Sequence, residues 1–305
     1  MRKILFTLLA FATLSANAQL LEVTSVDKLQ LPSSPAYAKV AGISPDGTYV
    51  LLTSTSNVGL QKFNLATGKV ETVSTAEGAG YNVAVSADGN DIVYRETTMG
   101  KDKLKRSALV RKNMATNKTT TLVKPTRNLN GYTIKDNSIL TVEKRQLRVQ
   151  ALNGKQPVQK TLPVVSVQDR QLMITIDGET RVLSPNGQGK SYIWPSVSPD
   201  GTKVCYYVAG NGAWVADIDG SNPHFIARDC RAAKWYNNEI IIGMADQDDG
   251  YVQTASDIVA YNLKGEHQVL TSGLIAMYPY VAANGSRIVF STDEGDTYLI
   301  RINRK

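Results

Sequence analysis

Cysteine and histidine are scarce in this chain of 305 residues, with two of each: Cys205, Cys230, His224 and His267. A metal centre built on several imidazoles or thiolates has too few donors, and the two histidines lie in separate units far from one another's neighbours. No apolar run after residue 18 approaches the length of a membrane-spanning helix. Apolar stripes at helical spacing are also missing, so no helix is predicted; Ser107–Met114 comes nearest to a helical turn, but a third strand fits it better. No G-x-S-x-G elbow is present, and pairs such as Gly210-Asn211-Gly212 lack the strand-to-helix setting of a phosphate loop. Basic residues exceed acidic ones, 34 to 27, yet they are scattered and form no nucleic-acid module.

What is present begins with an export signal. Arg2 and Lys3 precede an apolar stretch from Ile4 to Leu14, and Ala16-Asn17-Ala18 supplies small residues for cleavage before Gln19. The expectation is a signal peptide over 1–18 and one domain over 19–305, periplasmic or secreted, soluble and monomeric. No cysteine stands after the cleavage site to take a lipid anchor. Loss of the signal lowers the formal charge from +7 to about +5. In an oxidising compartment Cys205 and Cys230 have two readings, a disulfide or a pair of small buried apolar residues.

The remaining chain is a series of short apolar runs separated by turn residues. Ser44-Pro45-Asp46-Gly47, Ser86-Ala87-Asp88-Gly89, Ser198-Pro199-Asp200-Gly201 and Ala282-Ala283-Asn284-Gly285 each precede a run rich in β-branched and aromatic residues. Such turns join antiparallel neighbours. Weaker anchors near Asp136, Asp169 and Asn237 complete a series spaced by about 31 to 48 residues, the range of blade-like repeats. Trp194–Ala227 shows one unit whole: four strand-like runs with turns at Asp200-Gly201, Asn211-Gly212 and Asp219-Gly220. The predicted fold is all-β, a β-propeller of seven blades. Six is the alternative, with residues 129–190 as one irregular blade.

The last unit runs out of chain after three strands, near Tyr280, Arg287–Ser291 and Tyr298–Asn303. Leu20–Leu31 reads like an outer strand such as Lys69–Thr75, and is expected to close the ring by completing that last blade.

Trp214-Val215-Ala216-Asp217-Ile218-Asp219-Gly220-Ser221-Asn222-Pro223, with Ser198-Pro199-Asp200-Gly201, resembles the repeat of TolB-type propellers. The resemblance is strongest in the first two units, the fifth and the last. TolB has an additional N-terminal α/β domain, for which this chain has no room, so only the propeller fold is carried over. The resemblance implies protein binding in the periplasm or cell envelope, without catalysis or cofactor.

Several residue groups suggest chemistry. The recurrence of Asp46, Asp88 and Asp200 at like positions marks a turn needed by every hairpin rather than a catalytic set. Ser291–Tyr298 is similar to the Asp-box of sialidase-like propellers, itself a hairpin brace. Asp246, Asp248 and Asp249 lack the alternation of a calcium loop, and no metal is expected there. Lys101, Lys103, Lys105, Arg106, Arg111 and Lys112 form the densest basic stretch, read as a solvated hairpin or as a meeting place for an anionic glycan, lipid head group or acidic partner. Trp194-Pro195 and Tyr278-Pro279 stand at the start of inner strands, with Trp235 and Tyr236 nearby. These four aromatics are the candidate binding residues for a protein or glycan partner, set against a packing role between blades. The rival reading is an enzyme acting on polysaccharide or peptide in the channel. It requires carboxylates, Arg or His converging at one mouth with perturbed pKa values.

Overall fold

The computed structural model describes residues 19–32, 39–135, 138–152 and 163–303. The proposed signal and the Asp136 anchor lie outside them. The described residues hold only strands and turns, arranged as seven small antiparallel sheets.

From axis to rim, the first blade is β2 (Lys39–Ile43), β3 (Tyr49–Thr53), β4 (Leu60–Asn64) and β5 (Val70–Ser74), once β1 (Glu22–Lys28) has passed. The second is β6 (Ala84–Val85), β7 (Asp91–Met99), β8 (Lys105–Asn113) and β9 (Lys118–Thr126). Two three-stranded blades follow: β10 (Leu129–Lys135), β11 (Ser138–Glu143) and β12 (Gln146–Ala151), then β13 (Val164–Gln168), β14 (Gln171–Ile176) and β15 (Glu179–Val182). The fifth has β16 (Tyr192–Val197), β17 (Lys203–Val208), β18 (Gly212–Asp217) and β19 (His224–Ala227). The sixth has β20 (Arg231–Trp235), β21 (Ile240–Asp248), β22 (Gln253–Asn262) and β23 (His267–Val269). The seventh, β24 (Ala276–Val281), β25 (Arg287–Thr292) and β26 (Thr297–Asn303), takes β1 as its outer strand.

The ring is thus a seven-bladed β-propeller. The two compact units form separate sheets, which removes the six-blade alternative, and Ser107–Met114 falls largely in the third strand β8. Closure is as expected: β1 pairs antiparallel with β26, from Glu22 opposite Asn303 to Lys28 opposite Tyr298. Inner strand β2 of the first blade meets β24 of the last, completing the circle.

Burial explains the sequence pattern. Second strands lie between blades and are apolar on both faces, as in β3 (YVLLT), where every residue is buried. Outer strands alternate, as in β12 (QLRVQA). The recurring turn is a compact hydrogen-bond device. Ser44 Oγ donates to Asp46 Oδ1 at 2.6 Å and accepts from the Tyr49 amide at 3.0 Å, while Asp46 Oδ1 accepts the Thr48 amide at 3.0 Å. Ser86 and Ser198 donate likewise to Asp88 and Asp200, at 2.5 and 2.6 Å. Glycine is needed after the aspartate because the backbone turns left-handed there, with φ of 73° at Gly47 and 76° at Gly201. These turns also stitch neighbours together: Tyr49 donates its hydroxyl to Gly89 O at 2.7 Å, Tyr236 to Gly285 O at 2.7 Å, and Asn284 Nδ2 to Asp46 O at 2.7 Å.

Candidate functional site

An antiparallel meander returns the turn between its second and third strands to the end where its inner strand begins. That end of the ring therefore collects the starts of all inner strands and the tips of the long hairpins β7/β8 and β21/β22. Here the inner strands are distorted in a recurrent way. Asn82, Trp194, Ala232 and Tyr278 have φ of 53°, 52°, 51° and 53°, six residues ahead of Asp88, Asp200, Asn238 and Asn284 respectively. The register slips around three of them, between Ile193 and Ser196, Arg231 and Lys234, and Met277 and Tyr280. Left-handed backbone at a non-glycine residue costs on the order of 1–3 kcal/mol, and a bulge re-aims the side chain that carries it.

The inner strands enclose a cavity of about 860 Å³ on the axis, lined by residues of all seven blades. Its wall is aromatic and cationic. Lys39 Nζ lies 5.0 Å from the centre of the Tyr278 ring, and Lys234 Nζ lies 5.3 Å from that of Tyr280. The Arg95 guanidinium stands between Tyr81 and Tyr132, at 5.5 and 5.4 Å. None of the described residues lining the cavity is Asp, Glu or His. Lys39 donates to Asn57 Oδ1 at 3.1 Å, a neutral acceptor, and Arg95 Nε is buried without a hydrogen-bond partner. Burial alone draws the Lys39 ammonium pKa down. Burial lowers that of Lys234 as well, with Cys205 opposing it weakly. The Tyr280 phenol is pushed up to about 12, by burial first and then by Tyr81 and Tyr278.

The four candidate aromatics divide. Trp194 and Tyr278 line the cavity. Trp194 packs edge-on against Tyr207 and lies 5.4 Å from the Arg231 guanidinium, which is ion-paired with Asp246. Trp235 is buried between blades and donates Nε1–H to Ser196 O at 2.9 Å; Tyr236 makes the Gly285 bond described above. Neither of these two lines the cavity. Cys205 and Cys230 are free and buried in one apolar cluster.

The other motifs resolve into local structure. Asp246 turns inward to Arg231 and Gln253, while Asp248 and Asp249 accept amides of their own hairpin turn. In the basic stretch Lys105 pairs with Glu77, Arg106 with Asp102 and Arg111 with Asp91. Ser291–Tyr298 forms the β25/β26 hairpin, and Ser291 Oγ accepts the Val40 amide at 2.7 Å, holding the last blade to the first. His224 and His267 stand on the outer strands β19 and β23.

Sequence reasoning missed Lys39, Tyr81, Arg95, Tyr132, Lys234 and Tyr280. Aligning the units on their turn would have placed Lys39 and Tyr81 together, each seven residues ahead of its aspartate. No such spacing identifies Arg95, which reaches the mouth from the second strand β7.

Among solved structures, the RRP9 WD40 repeats match with a TM-score of 0.63 and 8% identity, over 93% of this chain and 99% of that one. U3-55K matches at 0.61 and 9%, over 92% and 99%. A protein assigned as TolB from Agrobacterium tumefaciens matches at 0.52 and 17%, over 88% and 90%. The shared property is the propeller fold. At these identities the likeness extends no further. No protein-family model matches the chain, and no curated protein matches it in sequence.

Proposed function

We propose that this chain is an exported, non-catalytic binding module of the cell envelope that engages its partner at the channel mouth carrying Trp194 and Tyr278. The observation that carries the reading is the convergence of strained inner-strand residues on one concave, aromatic-lined cavity. Strain of this kind persists only where the surrounding structure imposes it, and it clusters at sites that hold ligands. The cavity volume lies within the ordinary range of ligand sites. The cavity cations Lys39, Arg95 and Lys234 each rest against an aromatic ring, and the described lining residues include no carboxylate to act as a general base. This supports recognition over turnover. Export rests on the N-terminal signal pattern, and Edman sequencing of protein recovered from the periplasm should begin at Gln19.

The test of the site is capture from a cell-envelope extract on immobilised chain. Trp194→Ala and Tyr278→Ala should each reduce capture while the melting temperature stays within a few degrees. Phe225→Ala, on the exposed outer strand β19, should leave capture unchanged. Equal retention by all three variants removes this placement of the site.

A further inference from the structure

We infer that the channel mouth is built for an acidic peptide segment of a protein partner, whose carboxylates meet Lys39, Arg95 and Lys234. The inference deepens the binding reading above and rests on it. Three cations from blades 1, 2 and 6 share one concavity whose described lining residues include no acidic one. Each is held by a neutral group, an aromatic face or the Asn57 amide, which leaves its charge uncompensated. Cations partly removed from water and unpaired raise the free energy of the empty site, and they repel one another across a low dielectric. A carboxylate entering the cavity relieves both costs and forms charge-assisted hydrogen bonds. Arg95 Nε, buried and without a partner, is one such waiting donor.

Other charged clusters behave differently. Arg231 has Asp246, Arg111 has Asp91, and Arg106 has Asp102. The smaller cavity between blades 6 and 7, about 350 Å³, is lined by Asp257, Asp293, Glu294 and Asp296, the last of which is paired with Lys28. Among the described residues, Lys39, Arg95 and Lys234 share the cavity without an ion-pair partner.

A protein partner is favoured by the surroundings of the cavity. Tyr81 is 56% exposed at its rim. The two long hairpins at the same end carry exposed Met99 and Leu104 on blade 2, and exposed Tyr251 and Val252 on blade 6. Large apolar side chains around a charged pocket are the anatomy of a protein contact, in which a central polar anchor is shielded from water by its rim.

The probe is a fluorescein-labelled peptide of alternating Glu and Gly, with the Gln–Gly peptide of equal length as its neutral control. Fluorescence anisotropy should show the acidic peptide binding at least about tenfold more tightly, with the advantage falling as salt is raised. Lys234→Met, Lys39→Met and Arg95→Gln should each weaken it by about fivefold or more. Lys118→Gln/Lys124→Gln, which removes exposed charge from the outer strand β9, should leave it unchanged. Equal loss in that control would mean general charge attraction and overturn the inference. So would binding of citrate or oligogalacturonate in place of the peptide. If both peptides bind alike and Trp194→Ala abolishes them, the mouth is a binding site but not one for acid. If neither binds and capture ignores Trp194 and Tyr278, the binding reading itself falls.

Discussion

Replacing Lys234 by Met should make the protein more stable and a poorer binder at once. The side chain lies half-buried at the channel wall, its ammonium over the Tyr280 ring; burial is the first influence on its titration, the Cys205 thiol opposes it, and no carboxylate takes part. Met keeps the length and most of the packing of the lysine stem and removes the charge. Loss of the cation–π contact costs about 1 kcal/mol. Relief of a partly desolvated, unpaired charge returns about 2 kcal/mol, a fraction of the several kcal/mol assigned to a fully buried ion. The net gain is about 1 kcal/mol, a rise of roughly 1.5–2 °C in melting temperature for a domain of this size. The sign also fixes the pH dependence. A base whose folded pKa is depressed destabilises the fold while it is charged in both states, so the gain should be present at pH 7. It should shrink as pH rises through the folded pKa and vanish above the unfolded value of 10.5. Calorimetry of both proteins at pH 7 and near pH 11, beside the anisotropy titration, measures each part. A variant destabilised by more than about 1 kcal/mol at pH 7 would show that Lys234 is a structural cation and refute the reasoning.

Other outcomes follow from the ring. Leu21 is 6% exposed in the core shared by blades 6 and 7, and Gln268 clamps it by accepting the Leu20 and Leu21 amides at 2.8 Å and donating to Leu21 O at 3.0 Å. Leu21→Ala should cost about 2–3 kcal/mol in denaturant unfolding, near the low end for a leucine because a terminal strand can relax, whereas Thr24→Ala on the exposed face should stay within about 0.5 kcal/mol. Asp91, its side chain 2% exposed, accepts a bidentate pair from Arg111 at 2.7 and 3.0 Å, and Arg111 also donates to Leu152 O of the next blade. Arg111→Met should cost about 3 kcal/mol by stranding the carboxylate, and adding Asp91→Leu should recover part of it in a double-mutant cycle. In the turns, the Ser86 and Ser198 hydroxyls first of all hold Asp88 and Asp200 below the usual carboxylate range. The stability this gives is present above the unfolded value of 3.8 and is lost as pH falls through the depressed folded values, so Ser86→Ala/Ser198→Ala should flatten the acid limb of a stability–pH curve.

The turns carried the fold because each is local: Ser, Asp and Gly within four residues make the same hydrogen bonds wherever they occur. The closing strand was legible for a related reason, since the last unit visibly ended one strand short. The channel was legible only in part. Trp194 and Tyr278 stood out as aromatics before proline in matching positions, yet Trp235 and Tyr236, equally aromatic, turn to the seams between blades. The difference lies in position along a shared bulge: the place taken by Trp194 and Tyr278 is held in this blade by Ala232, and Trp235 stands three residues further on, in the seam. Lys39, Arg95 and Lys234 meet only because the ring closes, and nothing local to any of them announces the other two. The counter-charges that disperse the Lys101–Lys112 stretch, such as Glu77 and Asp91, were likewise visible only after folding.

Photo-crosslinking addresses the central claim most directly, with a benzophenone placed beside one glutamate of the acidic peptide and the adducts mapped by mass spectrometry. Adducts should concentrate on the mouth, at segments containing Tyr81, Trp194 and Tyr278, and disappear with Lys234→Met/Arg95→Gln. Adducts spread over outer strands such as β9, or unchanged in that double variant, would contradict it.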